Sequence, residues 1–272
     1  MDFHTAKALL EWQVDMGADE AILDAPVNRY EIPEPSPRKA AAAAAAGRPA
    51  QAPRPAAAPP VRPIEPEVDP VAEARVAARG ARSLEELEAA LAAFPHCDLK
   101  RGARSLVFAD GQPRARVMIV GEAPGREEDR EGRPFVGRAG QLLDRMFDAI
   151  GLGRAAPDAE AGLYITNVLP WRPPQNRDPS PQEIDMLRPF VEKHIELVGP
   201  DLLVLMGNHA CMALLKRSGI SRMRGRWHEF RGVPAMPMFH PAYLLRNPGF
   251  KREAWQDLLA VKAKLLEGAK AP

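Results

Sequence analysis

VMIV (117–120), GEAPGREEDREGRPFVGRAG (121–140) and QLLDRMF (141–147) follow one another without a break. The first is a short apolar run and reads as a buried strand. The last returns apolar residues at helical spacing. Between them lies a glycine-rich loop. Gly121 and Gly125 carry no side chain, so backbone N–H groups there can approach a ligand closely. Loops at the carboxyl end of a strand are where open α/β sheets bind ligands. No Gly-Lys-Ser/Thr follows, which excludes a P-loop. The acids Glu122, Glu127, Glu128 and Asp129, with Arg133-Pro134-Phe135, make the loop more than a plain turn. Glu127 and Asp129 are expected to be solvated.

The beat of strand and helix continues outward from this stretch. Apolar strands are predicted at 116–121, 163–168, 202–207 and 234–239, with helices at 138–150, 181–197 and 208–217. That alternation predicts a parallel sheet covered on both faces, a three-layer α/β/α fold with a central four-stranded parallel sheet. Glu122, Asn167 and His240 then fall at or just past strand ends. Ser180 and Glu183 form a capping box, with Pro181 at the first helical position. Cys211 and Met212, in the apolar helical run His209-Ala-Cys-Met-Ala-Leu-Leu, read as core. A second helical region spans 71–94, restarted by Ser83 as a cap with Glu86 three residues on. An amphipathic helix is expected over 251–266.

Composition sets the remaining bounds. The chain has 272 residues and a formal net charge of +1, so charge alone announces no nucleic-acid partner. Two cysteines, Cys97 and Cys211, make no secretory framework, and no signal peptide or long apolar span is seen. A soluble cytoplasmic protein follows. Three regions are expected. Residues 1–26 hold an amphipathic helix (3–22) suited to docking on a partner protein. Residues 27–69 form a proline- and alanine-rich disordered linker. A domain spans 70–272.

Three motifs now stand in order: GEAPG…GRPFVGRAG (121–140), YITNV (164–168) running into RPPQNRDP (172–179), and FHPAYLLRNP (239–248). Together they resemble the uracil-DNA glycosylase superfamily, closest to family 4, over about residues 98–265. The resemblance implies a DNA-repair glycosylase that flips uracil from DNA and hydrolyses its N-glycosidic bond. It would act as a monomer associated with the nucleoid, with no membrane partner. The competing reading is a non-catalytic DNA-binding or scaffold protein that keeps the fold. Family 4 enzymes hold a four-iron four-sulfur cluster on four cysteines. Here Phe94, Trp171 and Leu187 stand at three of those positions and only Cys97 remains. One thiol does not hold such a cluster, so no cofactor and no metal is expected, with apolar side chains filling the space.

The resemblance also assigns roles. Glu122 positions the water, with Glu128 as a second candidate. Gly121 and Ala123 border the base, Phe135 stacks on it, and Asn167 reads its edge. An amide both donates and accepts, which suits uracil O4 and N3–H. His240 donates to uracil O2. Leu244 is the expected wedge into the vacated stack, with Leu245 as the neighbouring option. Arg246 meets phosphate and Asn176 lines the pocket or groove. Apart from the resemblance, Arg224 and Arg226 stand in the densest basic run of the sequence (216–226), which reads as a DNA-binding patch.

Overall fold

The computed structural model describes residues 69–268. The helix expected at 3–22 and the linker up to residue 68 lie outside them. Asp69 closes that linker by capping the first helix, its carboxylate accepting from Val71 N at 2.9 Å. In chain order the elements are α1 (Pro70–Gly80), α2 (Leu84–Ala93), α3 (Leu99–Gly102), β1 (Asp110–Gly111), β2 (Val117–Gly121), α4 (Arg126–Glu131) and α5 (Arg138–Asp148). Then follow β3 (Leu163–Asn167), α6 (Pro181–Val198), β4 (Leu202–Met206), α7 (Asn208–Leu215), α8 (Ile220–Met223), β5 (His228–Phe230), β6 (Val233–Met238), α9 (Pro241–Arg246) and α10 (Lys251–Gly268).

The helical region predicted over 71–94 divides at Ala81. Ser83 restarts it by accepting from Glu86 N at 3.2 Å, while the Glu86 carboxylate accepts from Arg82 N at 2.7 Å. The capping logic is that of the box, shifted by one residue on the return bond.

Among the described residues six strands form one sheet in the order β1-β3-β2-β4-β6-β5. The inner four are parallel, and they are the four predicted strands. The expected four-stranded sheet needs one amendment, because β1 and β5 add short antiparallel edges. Two and three residues are too few to show a period of two.

Continuous apolar strands mean burial on both faces, and side-chain parity sorts them into two cores. Met118, Val120, Leu203 and Leu205 pack with Leu87, Leu187, Phe190 and Cys211 from α2, α6 and α7. Val117, Ile119, Val204 and Met206 pack with Leu143, Phe147, Leu244 and Leu258 from α5, α9 and α10. The first is the upper core and the second the lower core, and with the sheet between them they make the three layers. Met212 departs from its expected core place, being 37% exposed on the outer side of α7. The parallel strands bring their carboxyl ends to one rim, where Gly121 stands in register beside Asn167. Among the described residues no helix is long and apolar enough to cross a membrane.

Candidate functional site

The glycine-rich loop is clamped from within. One Glu128 carboxylate oxygen accepts from Gly125 N (3.1 Å), and the other accepts from Val136 N (3.0 Å) and Gly137 N (2.9 Å). Both oxygens are therefore committed to backbone, and Glu128 is buried. Its expected part as a water-activating acid is corrected to that of a loop clamp. Asp129 is corrected too: it is buried rather than solvated, accepting from Arg104 N and Ser105 N at 2.8 and 3.1 Å.

Arg154 holds the far side of the loop. It donates to the Pro134 and Phe135 carbonyls, both at 2.8 Å, and is itself anchored on Asp110 and Asp144. This fixes Phe135 at φ +53°, a left-handed conformation that costs a bulky residue about 1–3 kcal/mol. Gly140 lets α5 start against the same carbonyl, since a Cβ there would fall 1.8 Å from Phe135 O.

The held ring forms one wall of a pocket. Phe135 stacks on His240 with ring centroids 5.5 Å apart and 29° between planes. Asn167 closes the pocket from the end of β3. It is buried, and its Oδ1 has no hydrogen-bond partner among the described residues. Buried polar atoms are almost always paired, so a lone acceptor beside two rings points to a ligand. Gly121 is the floor.

His240 caps α9. Its Nδ1 accepts from Ala242 N at 3.1 Å, which leaves the proton of the neutral ring on Nε2. Burial holds the His240 pKa below its ordinary value, so the neutral donor is the form present at neutral pH. The pocket opens into a cleft of about 730 Å³ walled by Ala123, Phe135, Asn167, Asn176, His240 and Leu245, among others. Asn176 is exposed at φ +55°, and its Oδ1 accepts from Arg172 Nε at 2.7 Å.

Two further expectations change. Leu244 is fully buried in the lower core, so the residue that reaches the cleft is Leu245. Arg224 is not a surface cation, because it donates to the buried Asp257 carboxylate and to Glu253 O and lies over the Phe239 ring. Arg226 is exposed. The cations at the cleft are Arg126, Arg130, Arg138 and Arg246, of which Arg130 pairs with Glu131.

Glu122 turns toward α7. Its carboxylate accepts from His209 Nδ1 at 2.6 Å. Asp178 joins them, and donor atoms of the three lie within 4.8 Å of one another. Sequence reasoning gave His209 no role. The available signal was its position just past β4, where this fold gathers ligand groups.

Comparison with known proteins fits this geometry. The family model described as the uracil DNA glycosylase superfamily matches residues 108–259. The chain belongs to the uracil-DNA glycosylase superfamily. It is 34% identical over 190 residues to a type-4 uracil-DNA glycosylase of Sulfurisphaera tokodaii, covering 66% of this chain and 84% of that one. It is 39% identical over 154 residues to a type-4 enzyme of Thermotoga maritima, covering 56% and 77%. A type-5 uracil-DNA glycosylase of Pyrobaculum aerophilum is 30% identical over 51% of this chain and 66% of its own.

The type-4 relatives correct the expectation of a cofactor-free glycosylase. They are of the class for which the motif resemblance implies an iron–sulfur cluster, so its absence does not stand as a property of this chain. The donor set itself is a separate matter. Phe94, Cys97, Trp171 and Leu187 are all buried in the upper core, and burial pushes the Cys97 thiol up to about 11. One protonated thiol among apolar side chains does not fit a four-thiolate cluster, and no step of the reaction is routed through one.

Proposed function

We propose that this glycosylase excises uracil from DNA by hydrolysing the C1′–N1 bond, leaving an abasic site. The observation that carries it is the unpaired, buried Oδ1 of Asn167 in the same cleft as the Phe135 ring and the neutral His240. A base inside a duplex is out of reach and must be flipped, at a cost of a few kcal/mol. In the pocket uracil stacks on Phe135. Asn167 accepts from N3–H and donates to O4, while Gly121 and Ala123 let the base lie close to backbone. As C1′–N1 breaks, its electron pair leaves with the base, and His240 Nε2–H steadies the charge at O2. Glu122 offers its carboxylate to the sugar cation and the attacking water, whose hydroxyl ends on C1′ while the proton it gives up neutralises the departed uracil anion. Leu245 fills the vacated stack, and Asn176 borders the groove.

The proposed catalytic domain is 70–272, acting as a monomer in the cytoplasm with uracil-containing DNA as partner. A stacking ring, an amide and a donor lining one cleft argue against a non-catalytic scaffold. Release of free uracil from single- or double-stranded oligonucleotides tests the reading, and failure on both removes it.

Asn167→Asp replaces a donor by an acceptor opposite O4. The lost pairing is worth about 1–3 kcal/mol, so uracil kcat/KM is expected to fall about 10–10²-fold, with relative preference moving toward cytosine. An unchanged uracil-to-cytosine ratio would remove Asn167 from base reading.

Arg126, Arg138 and Arg246 are proposed to meet phosphates. Replacing all three by alanine is expected to flatten the salt dependence of DNA binding by roughly 0.7–0.9 in slope per lost contact. Arg224→Ala should instead lower the melting temperature, because it strands Asp257, which is 1% exposed and whose pKa burial already raises. A flattened slope in the Arg224 variant alone would reverse the assignment.

A further inference from the structure

We propose that His209 is a positioning residue for uracil excision, fixing through its Nδ1–H the Glu122 carboxylate beside the base pocket, with Asp178 as the third member of the group. The inference rests on the function proposed above and adds a residue to it.

Three separate pieces of chain meet here: the end of β2, the loop after β3 and the first turn of α7. Glu122 and His209 are 87 residues apart in sequence yet 2.6 Å apart in space. Neither is forced together by the core, since their side chains are 29% and 25% exposed. A glutamate with that much freedom samples several rotamers, and a charge-assisted hydrogen bond selects one. The backbone leading into α7 is also tied to the pocket. Gly207 sits at φ +91° with its missing Cβ only 3.4 Å from His240 Cβ. The residue that holds Glu122 and the residue that holds the leaving base are thus set by the same turn.

The two histidines are tuned in opposite directions. The Glu122 hydrogen bond raises the His209 pKa against the opposing effect of burial, and Asp178 adds to the rise. At His240, burial dominates, and the charges facing it are Glu122 and Glu128, which favour protonation, and Arg246 and His209, which oppose it. A charged His209 therefore offsets the carboxylate and helps keep His240 neutral. The excision rate should rise through the His240 pKa, below about 6.5, and fall again above about 6.5 as His209 loses its proton.

The test compares wild-type, His209→Ala and His209→Asn enzymes in single-turnover uracil release, with kcat, KM and pH profiles. Asparagine keeps an N–H near the imidazole Nδ1 position and carries no charge. His209→Ala is expected to lose about 10–10²-fold in kcat with KM little changed. His209→Asn, which keeps the donor without the charge, should recover part of that, to about the rate of the wild type with a neutral His209, and lack the alkaline limb. Wild-type kcat in His209→Ala overturns the proposal, as do equal losses in both variants with an unaltered pH profile. Activity abolished by EDTA and restored by zinc would overturn it in favour of a metal held by the same three donors. A wild-type enzyme that releases no uracil sinks the proposed function itself, which separates the two failures.

Discussion

His240→Ala is expected to lower kcat for uracil release by about 10²–10³-fold, the usual cost of removing one donor aimed at a developing anion. The geometry says why the loss falls on kcat. Nδ1 is occupied by Ala242 N, so the ring's single remaining N–H is aimed by backbone rather than by the ligand. It costs no reorientation when charge appears on uracil. Burial keeps the ring neutral, and a neutral donor to an anion is stronger in the transition state than in the ground state, where O2 is only a carbonyl. KM should change less than kcat. The substitution also removes the cap of α9, worth about 1 kcal/mol, so a modest fall in melting temperature is expected alongside. The sign of the pH effect on stability follows from the lowered pKa. The folded state favours the neutral ring, so His240 contributes fully above its unfolded value of about 6.5 and progressively less as pH falls below it. The alanine variant should lose that acid sensitivity together with the acid limb of its rate profile. A kcat within tenfold of wild type would mean that the leaving base is steadied by another group.

Some of this site was legible in the chain and some was not, for identifiable reasons. β2 and β4 are unbroken apolar runs, and only burial on both faces accounts for them, so their place in the sheet could be read directly. Strand ends then follow, and with them Gly121, Asn167 and His240. What failed were statements about which way a side chain faces when its partner is remote. Arg224 looked like a surface cation because Asp257, which buries it, lies 33 residues on. Glu128 looked free because its partners are backbone amides, which carry no signal in a sequence. Leu244 and Leu245 differ by one step of about 100° around α9, and only the packing of that helix on the lower core says which reaches the cleft. His209 was lost in an apolar helix because its meaning depends wholly on Glu122. The iron–sulfur expectation failed differently, since three substituted positions were given more weight than a likeness to type-4 enzymes that covers 66% of this chain in one relative and 56% in another.

Gly121→Ala is the smallest change expected to disable the pocket. A Cβ at this position would fall 2.3 Å from Asn167 Oδ1 and 2.6 Å from two atoms of the Phe135 ring, so something has to move. The strand does not yield easily, because β2 is paired with β3 on one side and β4 on the other. Nor does the backbone of Phe135, held by Arg154 and packed against Gly140. The strain therefore goes into the Asn167 amide and the Phe135 ring, the two groups proposed to read and stack the base. Overpacking of this kind costs about 1–3 kcal/mol in stability, and a displacement near 1 Å in a positioned group costs about 10²-fold in rate. The expected result is a fall of about 10²-fold in kcat/KM for uracil with only a few degrees lost in melting temperature. Gly249→Ala is the control, since nothing lies within 4 Å of a Cβ there, and it should be neutral in both measurements. If Gly121→Ala cleaves uracil as fast as wild type, the base does not lie against the end of β2, and the pocket built from Asn167, Phe135 and His240 is not where excision occurs.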